Sequence, residues 1–413
     1  MGEVRQQRGY DVVIVGGGLV GASLACALAP LGLKVALVEA VAFRASAQPS
    51  YDDRTLALSS SSCKILQGLG LWPKLEQNAT PIREIQVREL DRPGRVIMDP
   101  SELGLDHFGH VVEARVFGAA MAATLPRLDN VDFLCPVSLT SIEQGEDDCL
   151  LEIRGEAGAE TIRAKLLVGA DGAESFVRES LGIESERHDY GQSAVTCNVT
   201  PEQAHSGRAF ELFTPSGPMA VMPHVEARCG LIWCVPTAEV GQLMERSETE
   251  FMRQANARFG WHLGRFVKMG KRSAYPLKLV RAKEDIRPRA VILGNAAHAI
   301  HPVGAQGFNL GLRDAATLAE VLADALRKQP AADPGDMELL RRYSAWRRPD
   351  QEGTIAYSDG LARIYSNPAP VVSVARLAAL LAHAFVPALR KQMAVKAMGF
   401  RGRIPRLARG ESL

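Results

Sequence analysis

The sequence predicts an α/β fold: a doubly wound parallel sheet, an antiparallel-sheet domain interleaved with it, and a helical region at the C-terminus. Three observations lead there. An apolar strand enters a glycine turn and then a helix at 11–40. Two further buried strands end in glycine turns at 166–182 and 289–326. Between them, residues 193–235 break into short stretches that read as antiparallel strands. At 413 residues the chain is long enough for two domains.

The first element is DVVIVGGGLVGASLACALAPLGLKVALVEA, residues 11–40, which reads strand, turn, helix, strand. Its opening strand is apolar, as a strand buried on both faces is. Gly16, Gly18 and Gly21 follow at GxGxxG spacing. Gly16 allows the tight turn, Gly18 lets backbone approach a diphosphate, and Gly21 lets the helix pack closely. The unpaired N–H groups and dipole of the helix start suit that anion. The second strand ends at Glu39, eighteen residues past Gly21, where a carboxylate accepts from an adenosine ribose. This is a Rossmann-like dinucleotide site, and the spacing alone does not separate NAD from FAD.

Ser59 to Ser62 resemble a hydroxyl cluster, but no GxSxG surrounds them, so they read as a helix N-cap before CKILQGLG. EIQVRELDRPGRVIMD (84–99) reads as a hairpin, and SAVTCNVT, RAFELFT, PMAVMPH and RCGLIWCVP as antiparallel strands. A plain NAD dehydrogenase would continue to alternate strands and helices. Antiparallel sheet set into a doubly wound domain points to a two-domain flavoprotein. The predicted partition is discontinuous. Residues 1–75, 100–185 and 276–340 form the nucleotide domain, 76–99 and 186–275 the substrate domain, and 341–413 the helical region with its basic tail.

Composition excludes several classes. A net charge of +1 with 46% hydrophobic residues describes an ordinary globular protein, with no basic aromatic stretch for nucleic acid. Seven scattered cysteines without a CxxC pair argue for a reducing compartment, and against a disulfide framework or a structural metal. The N-terminal apolar run is too short for a signal peptide, so a cytoplasmic location is expected. VVSVARLAALLAHAFVPAL (371–389) is interrupted by Arg376, His383 and Pro387, and reads as a packed amphipathic helix. Seven cationic side chains from Arg390 to Arg409 follow, opposed by Glu411. The alternatives are a solvated basic end or attraction to an anionic membrane, at about 1 kcal/mol per basic residue.

The three glycine turns also carry a resemblance that covers nearly the whole chain. GGGLVG (16–21), GADGAESFVR (169–178) and GNAAHAIHPVGAQGFNLGLRDA (294–315) resemble, in order, the signatures of the FAD-dependent aromatic hydroxylases typified by para-hydroxybenzoate hydroxylase. GRAFELFTPSGPMAVMP (207–223) and FGWHLGRFVKMGKRSAYPL (259–277) look like the ubiquinone-biosynthesis branch that acts on 2-polyprenyl-6-methoxyphenol.

The resemblance implies a site. Gly16, Gly18, Gly21 and Glu39 hold the ADP half of FAD, and Arg54 and Arg115 approach the pyrophosphate and ribityl chain. Asp171 and Gly172 contact FAD and guide NADH or NADPH. Asn295 faces the ribityl or pyrophosphate region, and the stretch from Pro302 to Asn309, with Gly304, Gln306 and Gly307, lies beside the isoalloxazine. It also implies the reaction: NAD(P)H visits transiently and reduces tightly but non-covalently bound FAD, O2 is captured, and a flavin hydroperoxide transfers one oxygen to the phenol. His301 and Tyr275 are the acid–base candidates, with His298 beside them, although histidines in such a turn are more often structural and Tyr275 serves equally well in core packing.

Two positions depart from the family. Asn295 stands where Asp is usual, which weakens FAD retention, since a charge-assisted hydrogen bond contributes about 1.5–3 kcal/mol and a neutral one about 0.5–1.5. Gly304-Ala305 stands where Ala-Gly is usual, so the flexible position of the turn is expected to move to Gly304.

The rival readings are a hydroxylase of another ring position or phenol, an FAD dehydrogenase or oxidase, and a noncatalytic FAD-binding assembly protein. The expected partners are a prenylated phenol, O2, a ubiquinone-biosynthesis complex and the inner-membrane surface, reached peripherally. Homo-oligomerisation is left open.

Overall fold

The computed structural model describes residues 8–42 and 54–413. Its first sheet has a parallel core in the order Ala290–Ile292, Gly158–Gly169, Arg8–Val15, Val35–Val38, Val131–Leu134. Side chains alternate across these strands. Val12, Ile14, Leu37 and Val168 pack with the helices Leu19–Leu28 and Gln306–Lys328. Val13, Val15, Ala36 and Leu167 pack on the other face with Cys149, Leu151 and Ile153 of a neighbouring antiparallel strand. The sheet is therefore covered by helices on one face and largely by an antiparallel hairpin on the other, a departure from the doubly wound arrangement. The reason is local: the long strand Gly158–Gly169 pairs back on Cys149–Gly155, which leaves no chain for a crossover helix.

The second sheet has nine strands, in the order His298–Ala299, Ser273–Ala282, Ser185–Pro201, Cys229–Pro236, Met219–Pro223, Arg208–Phe213, Glu84–Glu89, Val96–Met98, with Phe266–Met269 attached to Ser185–Pro201. The expected hairpin pairs Ile85 with Met98, and the four expected strands lie in this sheet. The pairing of Arg208–Phe213 with Glu84–Glu89 is parallel. A division at residue 275 falls inside the strand Ser273–Ala282, and His298–Ala299 in the last glycine turn joins the same sheet. The turn is thus stitched to both sheets.

The C-terminal region holds the helices Met337–Ser366, Pro370–Phe385 and Pro387–Ala397. Pro387 cannot continue the preceding helix, and the last two meet at 95°. Helix Pro370–Phe385 buries little more than Ser373 and Leu380, leaving Val371, Val374 and Phe385 mostly exposed. That corrects the reading of a packed amphipathic helix. The basic end is not a free tail either. Arg390 pairs with Glu102, Arg406 with Glu320 and Asp324, and Arg409 with Glu411. Leu407 and Ala408 are buried in the main core beside Ile65 and Leu66.

Candidate functional site

The three glycine turns open onto one cleft of about 630 Å³. Gly16, Gly18, Glu39, Arg54, Asp171, Gly172, Asn295, Pro302 and Gly307 all line it, as does Tyr275. Residues nearly 300 positions apart converge because the three motifs end three adjacent strands of the parallel sheet at the same edge, Gly158–Gly169 lying between Arg8–Val15 and Ala290–Ile292.

Each turn has its own physical reason. Gly16 holds φ 105°, and a methyl group there would sit 2.4 Å from the Ala170 carbonyl oxygen. A methyl on Gly21 would sit 2.0 Å from the Gly16 carbonyl oxygen, so helix and turn meet only through glycine. The Glu39 carboxylate is buried and accepts from the Gly17 and Val41 backbone N–H groups, each at 2.7 Å. A carboxylate offers about four acceptor positions, so two remain toward the cleft. Asp171 accepts from the Ser175 hydroxyl at 2.5 Å and the Val177 N–H at 3.0 Å. Burial pushes its carboxyl up in spite of those bonds.

Helix N-termini test whether the cleft suits a long anionic cofactor. Ser59, Ser175, Ser247 and Asp336 cap their helices with side-chain oxygens. A side-chain cap and a first-turn acid are both lacking at Ala114–Thr124, Pro370–Phe385 and Pro387–Ala397, and also at the two helices that begin after Gly18 and Ala305. The last two start at the cleft, which leaves orphan N–H groups and positive dipole ends at two separated points. A diphosphate fits the first. The second suits the pyrimidine edge of a flavin, which carries negative charge when reduced. The residues present therefore fit FAD.

Other predicted residues act behind the wall. Asn309 accepts from Ser59 N–H and donates to the Ala57 and Ala305 carbonyls, tying the turn to the strand Thr55–Ser59. Gln306 donates to the Gly304 and Ala397 carbonyls. Gly304 takes φ 70°, as expected, but Ala305 is also left-handed at φ 52°, so the turn has two such positions and the strain expected to be avoided is present. Arg115 lies outside the cleft, paired with Glu113 at 2.5 Å in a separate pocket with Asn198, Arg228 and Lys268. It stands in the first turn of the helix Ala114–Thr124, just past the strand Gly109–Glu113, and shares its pocket with Asn198 and Lys268 of the second sheet.

The histidines are held in the structure itself. His298 Nε2 lies 2.6 Å from Asp314, which also accepts from Arg347 and from the Gly294 N–H. His301 is fully buried, accepts from the Val303 N–H and packs edge-on to Tyr190; burial lowers it to about 4, so it is neutral near pH 7. It does not line the cleft. Tyr275 does, and the Arg54 guanidinium lies 5.6 Å from its ring centre. Sequence reasoning missed Ile232 and Leu139, on strands, and Phe176, at a helix start, as cleft walls, since an apolar residue carries no mark of which cavity it faces. It also missed Asp314, whose signal was an acid within the apolar helix face LGLRDAATLAEVL.

Comparison with known proteins agrees with this geometry. The FAD binding domain family matches residues 9–358. The ubiquinone hydroxylase UbiL of Rhodospirillum rubrum is 37% identical, over 98% of this chain and 93% of its own length. The 3-demethoxyubiquinol 3-hydroxylase of Escherichia coli is 32% identical, over 94% and 98% respectively. Among solved structures, the p-nitrophenol 4-monooxygenase PnpA of Pseudomonas putida shares the fold with a TM-score of 0.79 at 22% identity, covering 96% of this chain and all of its own. A match along most of its length, together with relatives aligned almost end to end, makes this chain a member of the FAD binding domain family, in the same group as the flavin-dependent hydroxylases.

Proposed function

We propose that this protein hydroxylates the aromatic ring of a prenylated phenol in ubiquinone biosynthesis, using FAD, NAD(P)H and O2. One observation carries the reading. The cleft that begins at the GxGxxG helix ends against Ile232 and Tyr275 of the antiparallel sheet, so a ring bound there meets an apolar wall. Bound FAD supplies reduction by NAD(P)H and activation of O2. The chain's own contribution is to orient and to exclude water. Gly16, Gly18 and the helix start bind the diphosphate, Glu39 binds the ribose, and Arg54 and Asn295 bind along the middle. The turn from Pro302 to Gly307 lies beside the ring. The dry face of the second sheet keeps water from the reacting oxygen.

The substrate we favour is a 2-polyprenyl-6-methoxyphenol. A second ring position has support in the name of the Escherichia coli relative, which acts on 3-demethoxyubiquinol. Product analysis with a short-chain prenylated methoxyphenol under isotopically labelled O2 separates the readings. Label in a hydroxylated ring is expected, and its position names the branch. Bound flavin that NAD(P)H cannot reduce in the presence of that phenol would favour an assembly protein, and unlabelled oxidised product a dehydrogenase.

We further place peripheral membrane contact, at the cytoplasmic side, on the exposed apolar residues Val371, Val374, Phe385 and Leu389. Among the described residues no single helix is long and apolar enough to cross a membrane. Combining Val374→Asp with Phe385→Asp should abolish flotation with anionic vesicles, and unchanged flotation would remove this contact.

A further inference from the structure

One acid on the second sheet has no part in the site described so far. Glu211 stands in the strand Arg208–Phe213, where alternation assigns its face. Phe210 and Leu212 pack outward with Phe251 and Phe259, whereas Ala209 packs with Ala220, Met222 and Ala305 of the glycine turn. Glu211 shares the face of Ala209. Its cross-strand neighbours are Val87 and Ala220, and Ala220 pairs in turn with Ile232 of the cleft wall. That row is apolar except for one carboxyl.

The surroundings of Glu211 are few. The Gly304 backbone of the glycine turn faces it and favours its charged form. Tyr357, on the helix Met337–Ser366, and Cys234, on Cys229–Pro236, are the titratable groups that face it. Arg401 acts on Tyr357. No ion pair reaches Glu211 among the described residues, and burial drives its carboxyl up to about 8. It is enclosed by protein yet keeps part of its surface accessible, as does Tyr357. Glu211 stands on the same face of the sheet as Ile232, two strands away, and Ile232 lines the cleft. A carboxyl unpaired in an apolar wall is costly and belongs where chemistry uses it.

We propose that Glu211 is the base that takes the phenolic proton of the substrate, an assignment that rests on the hydroxylase reading above. The phenol O–H bond breaks, an O–H bond forms on the Glu211 carboxylate, and the electron pair stays on the phenolic oxygen. Charge moves from carboxylate to ring without changing the net charge of the cavity. Electron density rises at the ring carbons ortho and para to the oxygen, where an electrophilic oxygen attacks. Basicity also fits: a phenol titrates near 10, so an ordinary carboxylate near 4.3 is a poor match and a desolvated one a far better match. The Gly304 backbone leaves most of the acceptor positions of the carboxylate open to substrate.

The test uses full-length, FAD-loaded protein and two substrates: a short-chain prenylated methoxyphenol, and a ring-fluorinated analogue already ionised at the assay pH. Glu211→Gln should lower hydroxylated product from the first by about 10²-fold and from the second by less than about threefold. Wild-type product formation from the first phenol should rise with pH through about 8, and the Gln variant should lose that rise. Equal losses on both phenols, or no loss on either, would overturn the assignment. Gln replaces a buried carboxyl with a neutral amide of nearly the same shape, so the variant should melt no lower than wild type. Should it fail to fold, Glu211→Asp supplies the same test, with an intermediate rate that keeps the pH rise; a flat profile there overturns the proposal. A wild-type enzyme that hydroxylates neither phenol brings down the functional reading and this proposal together, whereas an active wild type with an equally active Gln variant removes Glu211 alone.

Discussion

Ala305 holds φ 52° and ψ 39° at the start of the helix beside which the flavin ring is proposed to lie. A left-handed L-residue costs about 1–2 kcal/mol, and the extra chain entropy of glycine returns about 0.5–1 of that. Ala305→Gly should therefore stabilise the protein by about 0.5–1 kcal/mol, measured by urea unfolding of the FAD-loaded form. A loss would mean that the Ala305 methyl contributes more through packing beside Met222 than its backbone costs. Glu39 makes the opposite kind of prediction. Its carboxylate accepts two backbone N–H groups, and bonds to a charged group contribute about 1.5–3 kcal/mol each. Glu39→Ala should lower FAD affinity at least tenfold by equilibrium dialysis, because it loses both the ribose acceptor and the bonds that shape the Gly17 turn. At this scale the sequence was informative where a residue's role is backbone geometry, as at Gly16 and Gly21. It was silent where a side chain could turn either way, as at His301 and Arg115.

The helices Gln306–Lys328 and Met337–Ser366 are joined by a buried charge network. Arg313 and Arg347 both donate to Asp350, and Arg347 and His298 both meet Asp314. Burial alone would raise the Asp314 carboxyl, but His298 and Arg347 outweigh it and hold it well below the usual range. The linkage sign follows. A depressed carboxylate contributes stability above its unfolded value near 4, and that contribution is lost as pH falls further. Asp314→Asn leaves Arg347 with Asp350 alone and His298 without its carboxylate partner, and should cost about 3–5 kcal/mol at pH 7. The acid limb of its stability profile, followed by circular dichroism below about pH 4, should be shallower than that of wild type; an identical limb would contradict the network. Sequence periodicity located the first of these helices. It could not see the network, whose members come from three separate segments.

Truncation probes the whole molecule. Residues 401–413 bury Leu407 and Ala408 in the main core and place Arg406 against Glu320 and Asp324. Burying a leucine contributes about 1.5–3 kcal/mol and a charged hydrogen bond a further 1.5–3. Deleting this segment should lower stability by at least about 3 kcal/mol and reduce bound flavin, read by thermal melting and absorbance. A truncated protein with the same melting temperature would show that the tail is dispensable. Membrane contact is consequently better examined by substitutions on the exposed apolar helix than by removing the tail.

The sequence by itself determined the three glycine turns and the strands that lead into them. Those features rest on local backbone demands, which spacing and residue type express directly: a turn that admits only glycine, or a strand buried on both faces. Only the tertiary structure decided which polar side chains meet. The folding back of the basic end, the burial of His301, the exit of Arg115 from the cleft and the lone carboxyl of Glu211 opposite Gly304 depend on strand register and sheet packing. A shift of one residue in register turns a side chain to the other face, and no short stretch of sequence carries that choice.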